Sequence, residues 1–253
     1  MKLNKSKGNM YEFITHTWNP IKGRCYHDCA YCYMKTIVPN PQPIHLDESE
    51  LSGIFSENQF IFIGSSTDVF ASDVPSEWIT AILDFCVEAT SHQNGVKTRF
   101  LLQTKNPARI LGFTDHPLFK SGQAVACTTI ETNRHYPETM NNAPTPKERA
   151  EAMSMIAERG IKTYVTIEPI MAFDLDELVS LVKMCVPEQV NIGANTVRSV
   201  KIPEPAEGNI LIDLILHLLC FTHVKVKKNL NGDKLTRMLI RRLKRNYSYE
   251  KRD

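Results

Sequence analysis

The sequence lacks a hydrophobic segment long enough to cross a membrane. Its most apolar run, Ile210 to Phe221, is interrupted by Asp213 and His217. It is far shorter than the roughly 20 residues that a transmembrane helix needs. The N-terminal stretch MKLNKSKGNMYEF contains no apolar run of the kind that builds a secretory signal. We therefore expect a protein of the cytoplasm that has no membrane partner.

Internal repeats and low-complexity segments are also absent, which argues against a repeat architecture. The 253 residues are 42% hydrophobic and 23% charged, an ordinary composition for a soluble globular protein. A single α/β barrel occupies about 200–250 residues. One large domain therefore accounts for most of the chain.

Two pairs of closely spaced cysteines, as in zinc ribbons, are missing, although the chain has seven cysteines. Three of them, Cys25, Cys29 and Cys32, lie within eight residues. In a reducing cytoplasm such a group indicates metal binding rather than disulfides. The other four stand alone among apolar neighbours, so we predict core residues and no auxiliary cluster. They are Cys86, Cys127, Cys185 and Cys220.

The net charge of +2 is small but unevenly distributed. Residues 223–253 contain eleven Lys or Arg against three Asp or Glu, a net charge of +8, so the rest of the chain carries −6. This asymmetry favours an anionic partner for the C-terminal segment, although a solvated surface helix explains the same charges. We predict a main domain over residues 1–222 and, packed on it, a basic C-terminal strand and helix extension over residues 223–253.

Apolar, β-rich runs alternate with segments of helical periodicity along the chain. The predicted strands are an early one within Tyr11–His16, then Phe60–Gly64, Thr98–Gln103, Ala124–Ile130, Thr163–Ile167, Gln189–Gly193 and His223–Val226. The predicted helices are Ser76–Thr90, Pro107–Leu111, Pro146–Arg159, Leu175–Cys185 and Ile210–Cys220. Alternation of this kind indicates parallel βα units. The pattern predicts an α/β fold, a partial (β/α)6-type TIM-like barrel.

Polar residues follow several of the predicted strands. They are Ser65, Ser66, Thr67 and Asp68, then Thr104–Lys105, Glu131–Asn133, Glu168 and Ala194–Asn195. The carboxyl ends of parallel strands are where barrel active sites are built. The repetition at successive strands therefore predicts one site at that edge of the sheet.

The clustered cysteines have the spacing Cys25-x3-Cys29-x2-Cys32. Three thiolates can hold three irons of a cubane cluster and leave the fourth iron without a protein ligand. An open coordination position is what a chemically active metal site requires. The alternative is a structural zinc site with His16 or His27 as the fourth ligand, although zinc sites usually have paired Cys-x2-Cys spacings.

The segment around these cysteines resembles the signature of radical S-adenosylmethionine (AdoMet) enzymes. Tyr31 is the aromatic residue before the last cysteine, and residues 19–33 read NPIKGRCYHDCAYCY. This motif is similar to that of the spore photoproduct lyase-like branch and of poorly characterised phage and bacterial proteins related to it. The resemblance implies a 4Fe–4S cluster on Cys25, Cys29 and Cys32, with AdoMet chelated to its open iron. In that family one electron cleaves AdoMet to methionine and a 5′-deoxyadenosyl radical, which takes a hydrogen atom from the substrate.

The resemblance extends over about residues 14–200 and implies further cofactor contacts. Ser65–Asp68 occupy the second-strand position, where the family meets the AdoMet amino group, although the common Gly-Gly-Glu is replaced here. Lys105 falls where the branch places a lysine on the AdoMet carboxylate. Thr129 and Glu131 are predicted to contact the ribose hydroxyls, with Arg149 as the partner of Glu131. Tyr31, beside the last cysteine, and Asn191, near the site, are the other predicted cofactor residues.

Two residues are predicted to take part in the chemistry. Tyr33, beside the cluster, either donates hydrogen or packs, and Glu168 contacts AdoMet, holds substrate or neutralises an arginine. Spore photoproduct lyase has a cysteine hydrogen-atom donor near its second strand. This chain has none there, and Cys127 on the fourth predicted strand is not an obvious substitute. The difference argues against thymine-dimer repair.

The resemblance and the charge pattern together favour a nucleic acid or a modified nucleotide as substrate. Tyr247 and Tyr249 stand beside the C-terminal basic charges, and aromatic rings near a cationic groove stack bases. We expect a base to be modified or isomerised, as in phage thymidine hypermodification, with a flavodoxin- or ferredoxin-type one-electron reductant. The alternatives are a radical AdoMet enzyme that acts on a peptide or small molecule, and a zinc-stabilised nucleic-acid-binding protein.

Overall fold

A computed structural model describes residues 1–206, 209–230 and 238, most of which surround an eight-stranded sheet. The strands are β1 (Asn4–Lys5), β2 (His16–Trp18), β3 (Ile21–Lys22), β4 (His45–Leu46), β5 (Phe60–Ile63), β6 (Arg99–Thr104), β7 (Ala124–Thr129), β8 (Lys162–Ile167), β9 (Gln189–Ile192) and β10 (His223–Val226). The helices are α1 (Met34–Ile37), α2 (Ser76–Glu88), α3 (Pro117–Lys120), α4 (Pro137–Met140), α5 (Pro146–Glu158), α6 (Leu175–Met184) and α7 (Ile210–Leu219). Short 3₁₀ segments cover Glu48–Glu50, Pro107–Phe113 and Lys228–Leu230.

Seven strands of this sheet run parallel to one another. The order across the sheet is β1-β2-β5-β6-β7-β8-β9-β10, and β1 lies antiparallel to β2 at one edge. Helices α2, α3, α5, α6 and α7 lie in the successive connections from β5 to β10. Within the described residues β1 and β10 do not pair, so the barrel is open. The predicted α/β fold, a partial TIM-like barrel, is confirmed.

The two faces of the sheet bury different sets of residues. The outer face packs against the helices through alternate strand residues such as Ile61, Ile63 and Val165. The inner face is covered by the N-terminal segment, in which Tyr11 and Ile14 join a second apolar cluster with residues of β5 to β8. We call this segment, residues 9–14, the N-terminal plug because it fills the inside of the partial barrel. A cavity remains open at the carboxyl ends of the strands.

Local signals in the sequence determine where α5 begins and ends. The Thr145 side chain accepts from the Glu148 N–H, and the Glu148 carboxylate accepts in return from the Thr145 N–H at 2.8 Å, a capping box. Pro146 occupies the first helical position, and Gly160 follows the helix at φ +76°. These signals bring Arg149, near the start of the helix, to the end of β7.

Most predicted elements are present, with ends that differ by one or two residues. The early strand is the main error, because it was expected within Tyr11–His16 and β2 begins only at His16. Tyr11 and Phe13 alternate with the exposed Glu12 as strand residues do, because both rings pack into the apolar cluster inside the barrel. The predicted helix at Pro107–Leu111 is a 3₁₀ segment.

The isolated cysteines are buried with one exception. Cys86, Cys127 and Cys185 are core residues, as predicted, whereas Cys220 is exposed. Helix α7 buries Ile212, Leu214, Ile215 and Leu218. Cys220 follows the end of that helix and lies on its solvent side, so its prediction as a core residue is wrong.

The predicted C-terminal extension begins within the sheet, since His223–Val226 form β10 beside β9. The boundary at residue 222 therefore stays a prediction. Its basic and aromatic residues Arg241, Arg242, Lys244, Arg245, Tyr247 and Tyr249 lie outside the described residues. Among the described helices, none combines the length and the apolar character needed to cross a bilayer.

Candidate active site

A large cavity opens at the carboxyl ends of the parallel strands. Its volume is about 1360 Å³, which exceeds the roughly 300–1,000 Å³ of pockets that hold one small molecule. Residues that follow β2, β5, β6, β8 and β10 line it, together with the last residue of β7. This is where α/β barrels build active sites. Its volume leaves room for two ligands side by side.

The loop between β3 and α1 carries the clustered cysteines along one wall. Cys25, Cys29 and Cys32 all line the cavity. Main-chain hydrogen bonds fix the loop: the Cys32 N–H donates to the Cys29 carbonyl at 3.1 Å, and the Ala30 N–H donates to the carbonyl of Thr139 in α4 at 2.9 Å. Burial raises the pKa of the Cys25 thiol to about 12 and also raises the pKa of Cys29. A bound cation would reverse this effect, because it stabilises the thiolate.

The donors of this loop fit an iron–sulfur cluster better than a single metal ion. In the part of the chain that is described, no group of three His, Cys, Asp or Glu side chains could hold one ion. A mononuclear zinc site needs such a group, whereas the thiolates of a cubane cluster bind different irons. The buried Nδ1 of His27 has no partner among the described residues, and an unpaired polar atom fits a wall that contacts a bound group. His16, the other proposed zinc ligand, does not line the cavity.

Asp68 connects the cysteine loop to the end of β6. Its Oδ2 lies 2.9 Å from His27 Nε2 and accepts from the Thr104 hydroxyl at 3.0 Å and the Lys105 N–H at 2.8 Å. Its Oδ1 accepts from the Phe70 N–H at 2.9 Å. Burial raises the pKa of Asp68, but His27 and the other donors outweigh burial and lower it. The ionised carboxylate therefore holds two walls of the cavity together.

A buried ion network lies directly behind the cavity wall. The Glu131 carboxylate accepts from Arg149 at 2.7 Å, from the Lys105 ammonium at 2.5 Å and from the Tyr31 hydroxyl. Burial raises the pKa of Glu131, but Arg149 and Lys105 outweigh burial and lower it to about 2. The Lys105 ammonium also lies 2.8 Å from the Tyr31 hydroxyl. Lys105 and Tyr31 line the cavity, so the network orients a cation and a phenol at its surface.

The turn after β5 brings Ser65, Ser66 and Thr67 to the cavity. The Asn19 side-chain oxygen accepts from the Ser65 hydroxyl at 3.1 Å and from the Ser66 N–H at 2.9 Å. The Thr67 hydroxyl donates to the Gly23 carbonyl at 2.9 Å. These bonds fasten the turn to the segment that leads into the cysteine loop.

Tyr33 follows the last cysteine and bridges to the same turn. Its hydroxyl donates to the Ser65 carbonyl at 2.6 Å, while its side chain remains partly exposed. Burial of the ring and the nearby Cys32 raise the pKa of the phenol. Tyr33 therefore keeps its proton at neutral pH.

Polar residues also line the cavity near the ends of β8 and β10, away from the cysteine loop. The Glu168 carboxylate accepts from Lys227 at 2.7 Å, from Asn9 at 2.9 Å and from Asn229 at 3.3 Å. The Lys227 ammonium lies 4.5 Å from the centre of the Tyr11 ring. Glu168, Asn9, Tyr11 and Lys227 all line the cavity. This cluster of carboxylate, amide and ammonium groups can form hydrogen bonds with the polar edge of a ligand.

The floor of the cavity is built on the N-terminal plug. The Tyr11 hydroxyl lies 2.9 Å from Gln103 Oε1 and 3.0 Å from the Thr166 hydroxyl. Gln103 and Thr129, from neighbouring strands, line the cavity beside it. The floor of the cavity therefore presents amide and hydroxyl groups to a ligand.

The cavity brings together all but three of the predicted site residues. Glu131, Arg149 and Asn191 are buried and do not line it. The Asn191 side-chain oxygen accepts from the Gln189 amide at 2.8 Å, and its buried nitrogen has no partner among the described residues. The cofactor contacts assigned to these three residues stay predictions, and so do the roles assigned to the residues that line the cavity.

Several residues of the site were not predicted from the sequence. Lys227 belongs to the basic segment that suggested an extension, and the pairing of β10 with β9 returns it to the cavity. His27 lies inside the cysteine motif, but it was considered only as a zinc ligand. Asn9 and Asn229 carry no signal in the sequence, because their positions depend on tertiary contacts with Glu168.

Solved structures with a similar fold include those of spore photoproduct lyase, a radical AdoMet enzyme. Its complex with dinucleoside spore photoproduct matches with a TM-score of 0.63 at 13% identity, over 89% of this chain and 78% of that chain. A mutant with bound AdoMet and the same dinucleoside matches with a TM-score of 0.51 at 13% identity, over 83% and 62%. No family model and no curated protein sequence matches the chain. The predicted resemblance to the radical AdoMet superfamily is confirmed at the level of the fold.

Proposed function

We propose that this chain is a radical AdoMet enzyme that removes a hydrogen atom from a nucleic-acid base. The proposal depends on one observation: Cys25, Cys29, Cys32 and Lys105 face a single cavity at the carboxyl ends of the strands. When bound, a 4Fe–4S cluster and AdoMet would supply the electron and the 5′-deoxyadenosyl radical. The chain itself holds these groups, orients the substrate and limits the access of water.

The cavity walls offer partners for each polar part of AdoMet. The three clustered cysteines bind three irons of the cluster. The Lys105 ammonium pairs with the AdoMet carboxylate in a charge-assisted hydrogen bond. The Thr129 hydroxyl can donate to and accept from a ribose hydroxyl. Ser65 and Ser66, which line the cavity, are proposed to contact the amino group.

Tyr33 and Glu168 are the residues proposed to act on the substrate. Tyr33 holds its proton at the phenolic oxygen and can return a hydrogen atom to the substrate or fix its position. Glu168 presents a carboxylate, with Asn9 and Lys227 around it, to the polar edge of a base. A site that hydrogen-bonds the edge of a base can discriminate between bases.

Two arguments favour a base as substrate and disfavour dimer repair. Spore photoproduct lyase binds a dinucleoside photoproduct, and the cavity of this chain is large enough for AdoMet and a second ligand. Cys127 is fully buried and does not line the cavity, so it is not placed to serve as a hydrogen donor. We propose phage-type thymidine hypermodification in the cytoplasm of the bacterial host, with a flavodoxin- or ferredoxin-type reductant.

Iron content after anaerobic reconstitution tests the cluster. The wild-type chain should bind about four irons, whereas Cys25→Ala, Cys29→Ala and Cys32→Ala should each lose most of this iron. Cys220→Ala is the matched control, because Cys220 is exposed and outside the cavity. A colourless chain that binds zinc instead would refute the proposal.

The AdoMet site and the substrate need separate measurements. With a chemical reductant, the reconstituted wild type should form 5′-deoxyadenosine, and Lys105→Met should raise the KM for AdoMet while keeping the iron. Mass spectrometry of nucleosides from genomes with and without the gene should reveal a changed base. If no nucleoside changes although 5′-deoxyadenosine forms, the substrate is a peptide or a small molecule and the nucleic-acid part of the proposal is wrong.

A further inference from the structure

Three cations at the opening of the cavity have no ionic partner in the described ranges. Lys2, Lys7 and Arg24 line the cavity and are exposed. Their side-chain nitrogens make no ion pair or hydrogen bond with any described residue. Charges of one sign at the opening of a cleft attract ligands of the opposite charge.

The acidic side chains of the cavity do not neutralise these three cations, because each already has another partner. Asp28 pairs with Lys35 at 2.8 Å, Asp68 with His27 at 2.9 Å and Glu168 with Lys227 at 2.7 Å, and Glu50 lies 3.3 Å from Lys22, which it shares with Asp47. The opening therefore keeps an excess of positive charge.

The backbone holds two of the cations in place beside the cavity. The Lys2 N–H donates to the Glu50 carboxylate at 2.5 Å, and the next residues form β1 along β2. The Arg24 N–H donates to the Gln42 carbonyl at 2.9 Å, directly before the first cluster cysteine. The positions of these residues are set by main-chain contacts, which leave the charged ends of their side chains available.

We infer that Lys2, Lys7 and Arg24 form a phosphate-binding rim that holds the backbone of a nucleic acid at the opening of the cavity. This inference rests on the proposed function and identifies the surface that recognises the substrate. A base must leave its stack to reach an enclosed site, and contacts to the flanking phosphates fix the strand while it does so.

The salt dependence of binding to a single-stranded oligonucleotide measures how many phosphate contacts the rim makes. We expect Lys2→Gln with Lys7→Gln to weaken binding and to make the slope of log K against log salt shallower by roughly 1.4, about 0.7 for each lost phosphate contact. Arg24→Gln should make the same slope shallower by about 0.7. The matched control is Lys97→Gln with Lys183→Gln, two exposed lysines outside the cavity, which should leave the slope unchanged. Thermal unfolding verifies that each variant is folded.

The possible outcomes distinguish this inference from the proposed function. If the wild type binds the oligonucleotide and the double variant has the same slope, the rim is not the phosphate contact, although the proposed function stands. If the wild type binds no nucleic acid, both the rim and the proposed substrate class are wrong. If the double variant loses only its reduction by an acidic flavodoxin-type protein, the rim is a docking surface for the reductant and the inference is overturned.

Discussion

Glu131 lies between Arg149 and Lys105, and its side chain is fully buried. Replacing it by glutamine leaves both cations without a counterion in a region of low dielectric constant. We expect Glu131→Gln to lower the free energy of unfolding by about 3–5 kcal/mol, measured by urea denaturation of the chain without iron. Glu151→Gln, which removes one exposed surface charge, should change it by less than about 0.5 kcal/mol. Similar losses for the two variants would contradict a structural role for Glu131.

The same carboxylate predicts how stability depends on pH. Its pKa is lowered in the folded chain from the ordinary 4.5 to about 2, so the ionised form stabilises the fold above pH 4.5. This contribution is lost as the pH falls from 4.5 towards 2. The difference in unfolding free energy between the wild type and Glu131→Gln should therefore shrink as the pH is lowered from 6 to 3. A constant difference over that range would show that Glu131 is not the titrating group.

Asp68 accepts from His27, Thr104 and Lys105 through one oxygen. An asparagine there has no negative charge, so its oxygen binds the three donors more weakly than the carboxylate does. We expect Asp68→Asn to lower the unfolding free energy by about 1–3 kcal/mol and to speed the loss of iron to a chelator, because the cysteine loop loses its tie to β6. Asp73→Asn, on the exposed continuation of the same segment, should change neither quantity.

At this scale the sequence predicts the residues but not which way each one faces. Cys25, Cys29 and Cys32 follow from their spacing, and all three line the cavity. Glu131 and Lys105 both follow predicted strands, yet only Lys105 lines the cavity, while Glu131 pairs behind it. The difference depends on Arg149 in α5, a long-range contact that strand periodicity does not contain.

Among the elements of the fold, the turn after β5 depends on a single glycine. Gly64 has φ +77°, and a Cβ there would lie 2.6 Å from Val69 Cγ2 and 2.8 Å from the Thr67 carbonyl oxygen. Gly64→Ala should therefore displace the Ser65–Asp68 segment, in addition to the roughly 1–2 kcal/mol of left-handed strain. We expect lower stability and weaker AdoMet binding, measured by denaturation and calorimetry.

Gly122→Ala is the matched control for this substitution. Gly122 has φ +73°, but a Cβ there meets no atom within 4 Å, so only the strain of about 1–2 kcal/mol should appear. Equal stability losses for the two alanine variants would contradict the close approach at Gly64.

The longer elements could be predicted because their signals are local. The capping box of Thr145 and Glu148 identifies α5, and the apolar run of β5 identifies a buried strand. The early strand was misplaced because Tyr11 and Phe13 alternate with the exposed Glu12, although they pack inside the barrel without forming a strand. Helix α1 and the β3–β4 ribbon are too short for a periodic signal, and they depend on contacts with the rest of the fold.

Across the whole molecule, Lys227 joins parts of the chain that are distant in sequence. It pairs with Glu168, which also binds Asn9 from the N-terminal plug. We expect Lys227→Met to lower the unfolding free energy by about 1–3 kcal/mol and to raise amide hydrogen exchange together in residues 7–13 and 223–230. Lys225→Met, at an exposed position of β10 two residues earlier, should raise neither. Faster exchange in 223–230 alone would contradict this link.

The N-terminal plug has a consequence for the order in which the molecule is made in a cell. Tyr11 is held by Gln103 and Thr166, and Asn9 by Glu168, whose partner Lys227 is synthesised much later. Asn9 and Tyr11 therefore reach their final positions only after the chain through Lys227 has been synthesised. The cavity is therefore complete only after translation has passed β10.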